Sequence, residues 1–184
     1  GGSGLIGSKI INLLVKFECK IYNFDINPYK KKNPNIENYK INLRDLKGTI
    51  LKIKQVIRSK DLKPDIFINC SYPTTKDWIQ NSFKNIKISS FEENIRLHLN
   101  SYCMISKLIA DEMVKRKKGG NILLFSSIYG IIAQDQNVYK NSNISENLTY
   151  SVIKSGIIGH VKQMASYYGI NNIRVNAISP GLVV

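Results

Sequence analysis

Short apolar segments that lack polar alternation recur along the chain, and segments with helical periodicity separate them. The apolar segments are "CKIYNFD", "DIFINC", "NILLFSS" and "IRVNAIS", with a weaker one at "YKINL". Strands covered on both faces lose polar alternation, and strands that alternate with helices form parallel sheets with right-handed crossovers. The pattern therefore predicts an α/β fold: a doubly wound parallel sheet between two layers of helices.

Helical spacing of apolar residues predicts helices over residues 8–17, 45–57, 91–118 and 149–169. Prolines and Asn/Lys neighbours predict a loop over 26–38, and the polar stretch 128–149 is predicted to be irregular. Because the 184 residues contain neither internal repeats nor an interdomain linker, we expect a single domain over 1–184.

The net charge of +14 raises the question of nucleic-acid binding. The basic residues are scattered, however, and form only two runs, Lys30–Lys32 in a loop and Lys115–Lys118 before a glycine pair. The second run suits the C-terminus of a helix, where cations are favourable. The charge pattern therefore does not favour nucleic acid as a partner.

Composition also bears on the compartment and on metal binding. No apolar run approaches the roughly 18 residues that span a bilayer, so we expect no membrane partner. Cys19, Cys70 and Cys103 are widely spaced and have neither zinc-site nor disulfide-framework spacing. A reducing cytoplasm is the simplest setting for them, and no metal site is predicted.

The opening "GGSGLIG" places Gly2, Gly4 and Gly7 in a Gly-x-Gly-x-x-Gly pattern before a predicted helix. Such glycines let the backbone approach a pyrophosphate, which then meets the free N–H groups of the helix N-terminus. Asp25 ends the next predicted strand, where an acid accepts hydrogen bonds from an adenosine ribose. A helix start without a ligand and a loop-capping Asp are the structural alternatives. Because no Arg or Lys directly follows Asp25, a 2′-phosphate would be repelled, and NAD is favoured over NADP.

A second set of polar residues lies near predicted strand and helix ends. Tyr150 and Lys154 are four residues apart in "TYSVIKSG" and therefore share a helix face. A nearby ammonium stabilises a phenolate, which lets a tyrosine act as an acid or base. Ser127 follows the strand "NILLFSS", at the sheet edge where α/β proteins bind ligands. A surface pair and a turn-capping hydroxyl are the structural alternatives.

Taken in order along nearly the whole chain, these motifs resemble the short-chain dehydrogenase/reductase family. The matching segments are "GGSGLIG", "INCSY", "LNSYCMISK", "LLFSSIYG", "YSVIK" and "RVNAISPG". The resemblance implies a Rossmann-like fold and a catalytic tetrad at Asn100, Ser127, Tyr150 and Lys154. Tyr150 would be the general acid/base, Ser127 would hold the reacting oxygen, and Lys154 would assist Tyr150 and bind the nicotinamide ribose. Asn100 would hold a water that links Lys154 to solvent.

The resemblance also implies a cofactor site, an oligomeric state and the extent of the chain relative to the family. The family's cofactor site, carried over by motif, falls on Gly1, Ser3, Gly4, Leu5, Ile6, Gly7, Asp25, Asn42, Asn69, Tyr150, Lys154, Pro180 and Gly181. Members usually pair through their long helices, which implies a homodimer or homotetramer for the full-length protein. Relative to the family, the chain is expected to be a fragment that lacks the first strand and the C-terminal elements.

Three features depart from the common family pattern. Leu5 stands at the second glycine of Gly-x-x-x-Gly-x-Gly, so the turn is closer to the extended branch of the family. Residues 69–72 keep only the first Asn of Asn-Asn-Ala-Gly, and Asn42 replaces an Asp that holds the adenine in many members.

The 22 residues from 128 to 149 form a longer segment than the family usually has between Ser127 and Tyr150. With "YPTTKDW" and "SSIYG", this insert resembles a subgroup associated with flagellin and surface-sugar modification. The expected function is therefore an NAD(P)-dependent oxidoreductase acting on a secondary alcohol or ketone, in particular a sugar or sugar phosphate. A catalytically silent dinucleotide sensor or scaffold and a basic nucleic-acid binder are the alternatives.

Overall fold

Strands and helices alternate along the chain in a computed structural model, which describes residues 1–140 and 144–182. The predicted α/β class with parallel strands is confirmed. The described chain forms two compact units: residues 1–62 with 69–72, and the remainder beginning with 63–68 and continuing from 73. The single domain over 1–184 stays a prediction.

The first unit contains two strands and two helices. They are α1 (Leu5–Lys16), β1 (Ile21–Asp25), β2 (Ile36–Lys40) and α2 (Leu46–Ser59). Strands β1 and β2 are parallel, with Ile21 opposite Ile36 and Asp25 opposite Lys40. The unit therefore brings the end of β1 beside the end of β2.

Strand β2 begins at Ile36, inside the stretch 26–38 that was predicted to be a loop, so this part of the loop prediction was wrong. The side chain of Asn38 explains the difference. Its Oδ1 accepts hydrogen bonds from Asn23 Nδ2 at 2.9 Å and from the Tyr29 backbone N–H at 2.8 Å. These contacts hold the segment against β1, although Glu37, Asn38 and Lys40 have low strand propensity.

Helix α2 forms despite Gly48, as its apolar spacing predicted. Asp45 caps the helix, because its Oδ1 accepts a hydrogen bond from the Gly48 N–H at 2.9 Å. A Cβ at residue 48 would overlap this same carboxylate. The glycine thus leaves room for the cap, and Thr49, Ile53 and Val56 form the buried face of the helix.

The second unit is built around a three-stranded sheet of order β3-β4-β5. The strands are β3 (Ile66–Asn69), β4 (Gly120–Phe125) and β5 (Ile173–Ile178). Strands β4 and β5 are parallel, with Gly120 opposite Ile173 and Phe125 opposite Ile178. The carboxyl ends of β4 and β5 therefore lie side by side.

The long helix predicted over 91–118 is divided in the structure. It comprises α3 (Ile88–Asn94), a π-helical segment (Ile95–Leu99) and α4 (Asn100–Lys115). The prediction of a continuous α-helix was wrong at the π-helical segment, whose wider turn changes which residues face the protein interior. The helix ends before Gly119, whose φ of 71° is left-handed and favours glycine.

Helix α5 (Leu148–Tyr168) matches its prediction within a residue at each end. With α4 and the sheet it forms the core of the second unit. The core includes the fully buried side chains of Tyr102, Met113, Ile122, Leu124, Ile153 and Ile157. Within the described ranges, no helix is long and apolar enough to cross a membrane.

Residues 128–140 and 144–147 are largely irregular, as predicted, with short 3₁₀ turns at Ile128–Gly130 and Gln136–Val138. Residues 141–143 of this insert lie outside the described part of the chain, as do the last two residues of "SPGLVV".

We predict that Ile157→Ala lowers the free energy of unfolding by about 2–5 kcal/mol, because the side chain is fully buried and its loss leaves a cavity. Urea denaturation measures this effect. Ile170→Ala is the matched control, since Ile170 is 90% exposed just beyond the same helix. Equal losses for the two variants would contradict the assignment of the core.

Candidate active site

The glycine turn in the first unit leads directly into α1. Gly4 is the N-cap and has no side chain that could accept hydrogen bonds from the first turn of the helix. A Cβ at residue 7 would overlap the Gly1 carbonyl oxygen and lie 2.6 Å from Gly2 Cα, so the turn requires glycine there. Leu5 is exposed and Ile6 is half-buried in the first helical turn. Backbone N–H groups at a helix start of this kind suit the phosphate groups of a dinucleotide.

Asp25 lies beside this turn at the end of β1. Its Oδ2 accepts a hydrogen bond from the Ser3 N–H, and its Oδ1 accepts one from the Asn27 N–H, both at 3.0 Å. Burial opposes the charged form, but these hydrogen bonds hold the pKa of Asp25 below its usual value. The charged carboxylate at the strand end fits an adenosine ribose. The structure therefore brings Gly4, Gly7, Ser3 and Asp25 together.

The two other predicted cofactor residues of this unit make local hydrogen bonds. Asn42 is exposed, and its Oδ1 accepts from the Arg44 N–H at 3.0 Å. Asn69 is buried, and its Oδ1 accepts from both the N–H and the hydroxyl of Ser71. A Cβ at Gly1 would overlap the Ser71 backbone, so residues 69–72 pack closely on the glycine turn within the first unit.

Lys154 is the buried charge of the second unit, with 3% of its surface exposed. Its Nζ donates to the Phe125 carbonyl at 2.9 Å, while its own carbonyl accepts from Ser126 Oγ at 2.8 Å. Burial lowers the pKa of Lys154 to about 8. The ammonium is thus fixed against the end of β4.

Tyr150 lies one helical turn before Lys154 on α5, as predicted. The Lys154 Nζ is 5.5 Å from the centre of the Tyr150 ring and 5.8 Å from the centre of the Tyr102 ring. The ammonium therefore lies close to two aromatic rings, and a nearby ammonium can stabilise negative charge on a phenol oxygen.

Ser127 follows β4 and is buried. Its Oγ accepts from the Tyr129 N–H at 3.2 Å, which is the turn-capping contact considered as its structural alternative. Gly130 holds this turn against α5, because its carbonyl accepts from Ser155 Oγ at 3.0 Å. A Cβ at Gly130 would lie 2.8 Å from the Lys154 carbonyl. The turn that carries Ser127 is therefore packed directly on the helix that carries Lys154.

Asn100, the fourth predicted residue, is exposed at the first position of α4. His98, on the π-helical segment before α4, is fully buried near Lys154 and lies 5.1 Å from Tyr102 between ring centres. Burial and, secondly, the charge of Lys154 hold the pKa of His98 well below its usual value. Sequence reasoning missed His98, although its spacing of four from Tyr102 placed it on the same helix face.

Two further predicted residues lie next to the Ser127 turn. The Pro180 carbonyl accepts a hydrogen bond from the Ile128 N–H at 2.9 Å, so the segment after β5 continues beside the segment after β4. Gly181 is exposed. In the described ranges, no group of three or more His, Cys, Asp or Glu side chains could hold a metal ion.

The chain is similar to a family model and to solved structures of known proteins. The family model described as "Enoyl-(Acyl carrier protein) reductase" matches residues 45–184. A crystal structure of a short-chain dehydrogenase from Leptospira borgpetersenii with bound NAD+ superposes with a TM-score of 0.87 at 27% identity, covering 100% of this chain and 69% of that one.

Two curated relatives share parts of the sequence. Post-translational flagellin modification protein A of Campylobacter coli is 34% identical over 119 residues, covering 65% of this chain and 46% of the relative. A probable galactose dehydrogenase, GalD, of Rhizobium meliloti is 37% identical over 95 residues, covering 52% and 33%. The chain thus spans less than half of the length of these two relatives.

Lys154→Met is expected to raise the free energy of unfolding at pH 7. Folding lowers the pKa of Lys154 from its usual 10.5 to about 8, so between these values the unfolded chain binds a proton that the folded chain does not. Wild-type stability should therefore rise with pH across this window. Below the window Lys154 is charged in both the folded and the unfolded chain, and the full cost of burying the ammonium applies, at up to about 3 kcal/mol. The hydrogen bond to Phe125 offsets part of it.

Urea denaturation at pH 7, 9 and 10.5 measures this difference. The advantage of Lys154→Met should shrink as the pH rises through the window. Lys162→Met, at an exposed position of the same helix, is the control and should show no such trend. A stability difference for Lys154→Met that does not change with pH would contradict the argument.

Proposed function

This chain belongs to the short-chain dehydrogenase/reductase family, and we propose that the protein is an oxidoreductase that transfers a hydride between a nicotinamide dinucleotide and a secondary alcohol or ketone. The observation that carries the proposal is the pairing of Tyr150 with Lys154, whose buried ammonium lies 5.5 Å from the centre of the tyrosine ring. A fixed positive charge beside a phenol supports acid–base catalysis by that phenol.

NAD is the proposed cofactor, in preference to NADP. When bound, the nicotinamide would accept or supply the hydride. The glycine turn and the start of α1 would bind the phosphates, and the Asp25 carboxylate would accept hydrogen bonds from the adenosine ribose. The low pKa of Asp25 keeps this group charged, and a charged carboxylate disfavours a 2′-phosphate. The NAD+ bound by the Leptospira relative agrees with this choice.

Tyr150 is proposed to move the proton of the reacting oxygen. In the oxidation of an alcohol, the phenolate would accept the hydroxyl proton, and in the reverse direction the phenol would return it to the carbonyl oxygen. Ser127 would hold this oxygen through its hydroxyl. Lys154, anchored on the Phe125 carbonyl, would stabilise the phenolate form.

We propose that Asn100 holds a water that links Lys154 to solvent, and that His98 is a further positioning residue behind Lys154. The burial of His98 and the influence of the Lys154 charge on it support its role, and the exposure of Asn100 suits a link to solvent. The low pKa of His98 keeps its ring neutral, so it adds no second positive charge beside the ammonium. A neutral imidazole can also accept a hydrogen bond, directly or through a water.

A sugar or sugar phosphate is the proposed substrate class. Two curated relatives support it through their names, one a flagellin modification protein and the other a probable galactose dehydrogenase. The insert 128–149 supports it too, because it follows Ser127 and leads into the helix that carries Tyr150. Segments in this position commonly shape a substrate pocket.

The full-length protein is also proposed to be a cytoplasmic homodimer or homotetramer that pairs through its long helices. Met104 on α4 and Val152 on α5 are exposed apolar residues that suit such contacts.

Tyr150→Phe is expected to abolish hydride transfer while cofactor binding persists, because the change removes only the hydroxyl that moves the proton. The assay follows NADH formation by the complete protein over a panel of monosaccharides, sugar phosphates and simple secondary alcohols, with NAD and NADP compared. Loss of at least about a hundredfold in kcat is expected. NADH fluorescence titration supplies the binding readout.

Tyr167→Phe, which removes a hydroxyl from an exposed tyrosine of the same helix, is the matched control. Undiminished turnover by Tyr150→Phe would overturn the proposed mechanism. Cofactor binding by wild type without turnover of any compound in the panel would instead favour the silent dinucleotide sensor.

His98→Ala is expected to lower kcat by roughly tenfold or more and to change the pH–rate profile, because the side chain beside Lys154 is lost. His98→Asn, which keeps a polar group at the same position, should restore part of the activity. Lys107→Ala, at an exposed position of α4, is the control and should retain the wild-type profile. An unchanged kcat and pH–rate profile for His98→Ala would contradict the proposed role of His98.

A further inference from the structure

The indole of Trp78 lies beside the proposed general acid/base. Its ring centre is 6.2 Å from that of Tyr150, with an angle of 77° between the planes. Trp78 begins a short 3₁₀ turn that ends at Gln80, and its side chain is only half-buried. A partly exposed aromatic ring therefore lies next to the group proposed to act on the substrate.

One side chain fixes Trp78 relative to Tyr150. Asn147 caps helix α5 by accepting a hydrogen bond from the Tyr150 N–H on its Oδ1 at 2.9 Å. The Nδ2 of the same amide donates to the Trp78 carbonyl, also at 2.9 Å. The backbones of Trp78 and Tyr150 are thus bridged by a single amide.

Asn81 also connects the Trp78 segment to the start of α5 by hydrogen bonds. It is buried, and its Oδ1 accepts from Thr149 Oγ1 at 2.7 Å, while its backbone carbonyl accepts from the Leu148 N–H at 2.9 Å. The Nδ2 of Asn81 donates to Ser90 Oγ at 2.9 Å, which in turn donates to Asp77 Oδ1. Asp77 and Asn81, on either side of Trp78, are therefore anchored by hydrogen bonds, which restrict the position of the Trp78 backbone.

This anchoring determines what can reach Tyr150. A substrate oxygen bound to the Tyr150 hydroxyl lies about 2.7 Å from it. The indole is within reach of the carbon skeleton attached to that oxygen, because the two ring centres are only 6.2 Å apart. An aromatic face attracts the slightly positive C–H groups of a saturated ring through its quadrupole.

We propose that Trp78 is a specificity-determining residue on which the substrate stacks, and that the substrate is a sugar in its cyclic form. A pyranose or furanose presents several C–H groups on one face and hydroxyls at its rim, so it can contact the indole while directing a hydroxyl at Tyr150. An open-chain polyol carries the same hydroxyls without a fixed apolar face. This inference rests on the proposed function for the identity of the reacting group.

The test compares D-galactose with galactitol, which has the same carbon chain but no ring. Binding to the complete protein with NAD is followed by saturation-transfer NMR, and turnover by NADH formation, with a panel of other cyclic monosaccharides and their open-chain polyols in parallel. Wild type should bind at least one cyclic sugar more tightly than its polyol. Trp78→Ala should raise the KM or dissociation constant of that sugar about tenfold and leave that of the polyol unchanged.

Trp78→Phe, which keeps an aromatic face, should retain most of the preference. Phe83→Ala is the matched control, because Phe83 is an exposed aromatic residue of the same segment and its backbone contact to Glu146 survives the change. NADH titration checks that each variant is folded.

The outcomes separate this inference from the proposed function. A preference for rings that depends on Trp78 supports the inference, even if no compound is oxidised and the proposed oxidoreductase fails. Turnover of sugars with no difference between wild type and Trp78→Ala overturns the inference and leaves the oxidoreductase standing. Equal binding of cyclic and open-chain compounds, or no binding of any cyclic sugar, also overturns it.

Discussion

The contact on which the second unit depends is the attachment of Lys154 to the end of β4. Its ammonium donates to the Phe125 carbonyl, and its own carbonyl accepts from the hydroxyl of Ser126. Burying a charged amine opposes folding, and its lowered pKa reflects that cost. The same contacts fix α5 against the strand, so that Tyr150, one turn earlier, and Ser127, just after the strand, have defined positions. The contacts that bury the ammonium at a cost in stability are therefore the same contacts that position Tyr150 and Ser127.

Much of this arrangement was predictable because it follows from local patterns. The apolar segments gave the positions of β4 and β5, and the spacing of Tyr150 and Lys154 gave their shared helix face. The glycine turn and Asp25 lie together as their motif predicts, since both follow short elements with simple geometry. Periodicity is informative wherever the backbone is regular.

The remaining features depend on interactions that a local pattern does not contain. The π-helical segment Ile95–Leu99 departs from the 3.6-residue period, and no motif in the sequence marks its fully buried His98. Asn100 was assigned through the resemblance to the family. Strand β2 begins at Ile36 because the Asn38 side chain bonds to distant residues. Trp78 reaches Tyr150 through hydrogen bonds between segments about seventy residues apart, which no spacing rule indicates.

The two hydrogen bonds of the Asn147 side chain limit how the substrate specificity of this protein can change. The amide that caps the helix carrying Tyr150 also holds the carbonyl of Trp78. A replacement that frees the Trp78 segment to accept a different substrate removes the cap of α5 as well, and a lost N-cap destabilises a helix by about 1 kcal/mol. A change of specificity through position 147 therefore carries a cost in the stability of α5, whereas a substitution of Trp78 itself leaves the cap of α5 in place.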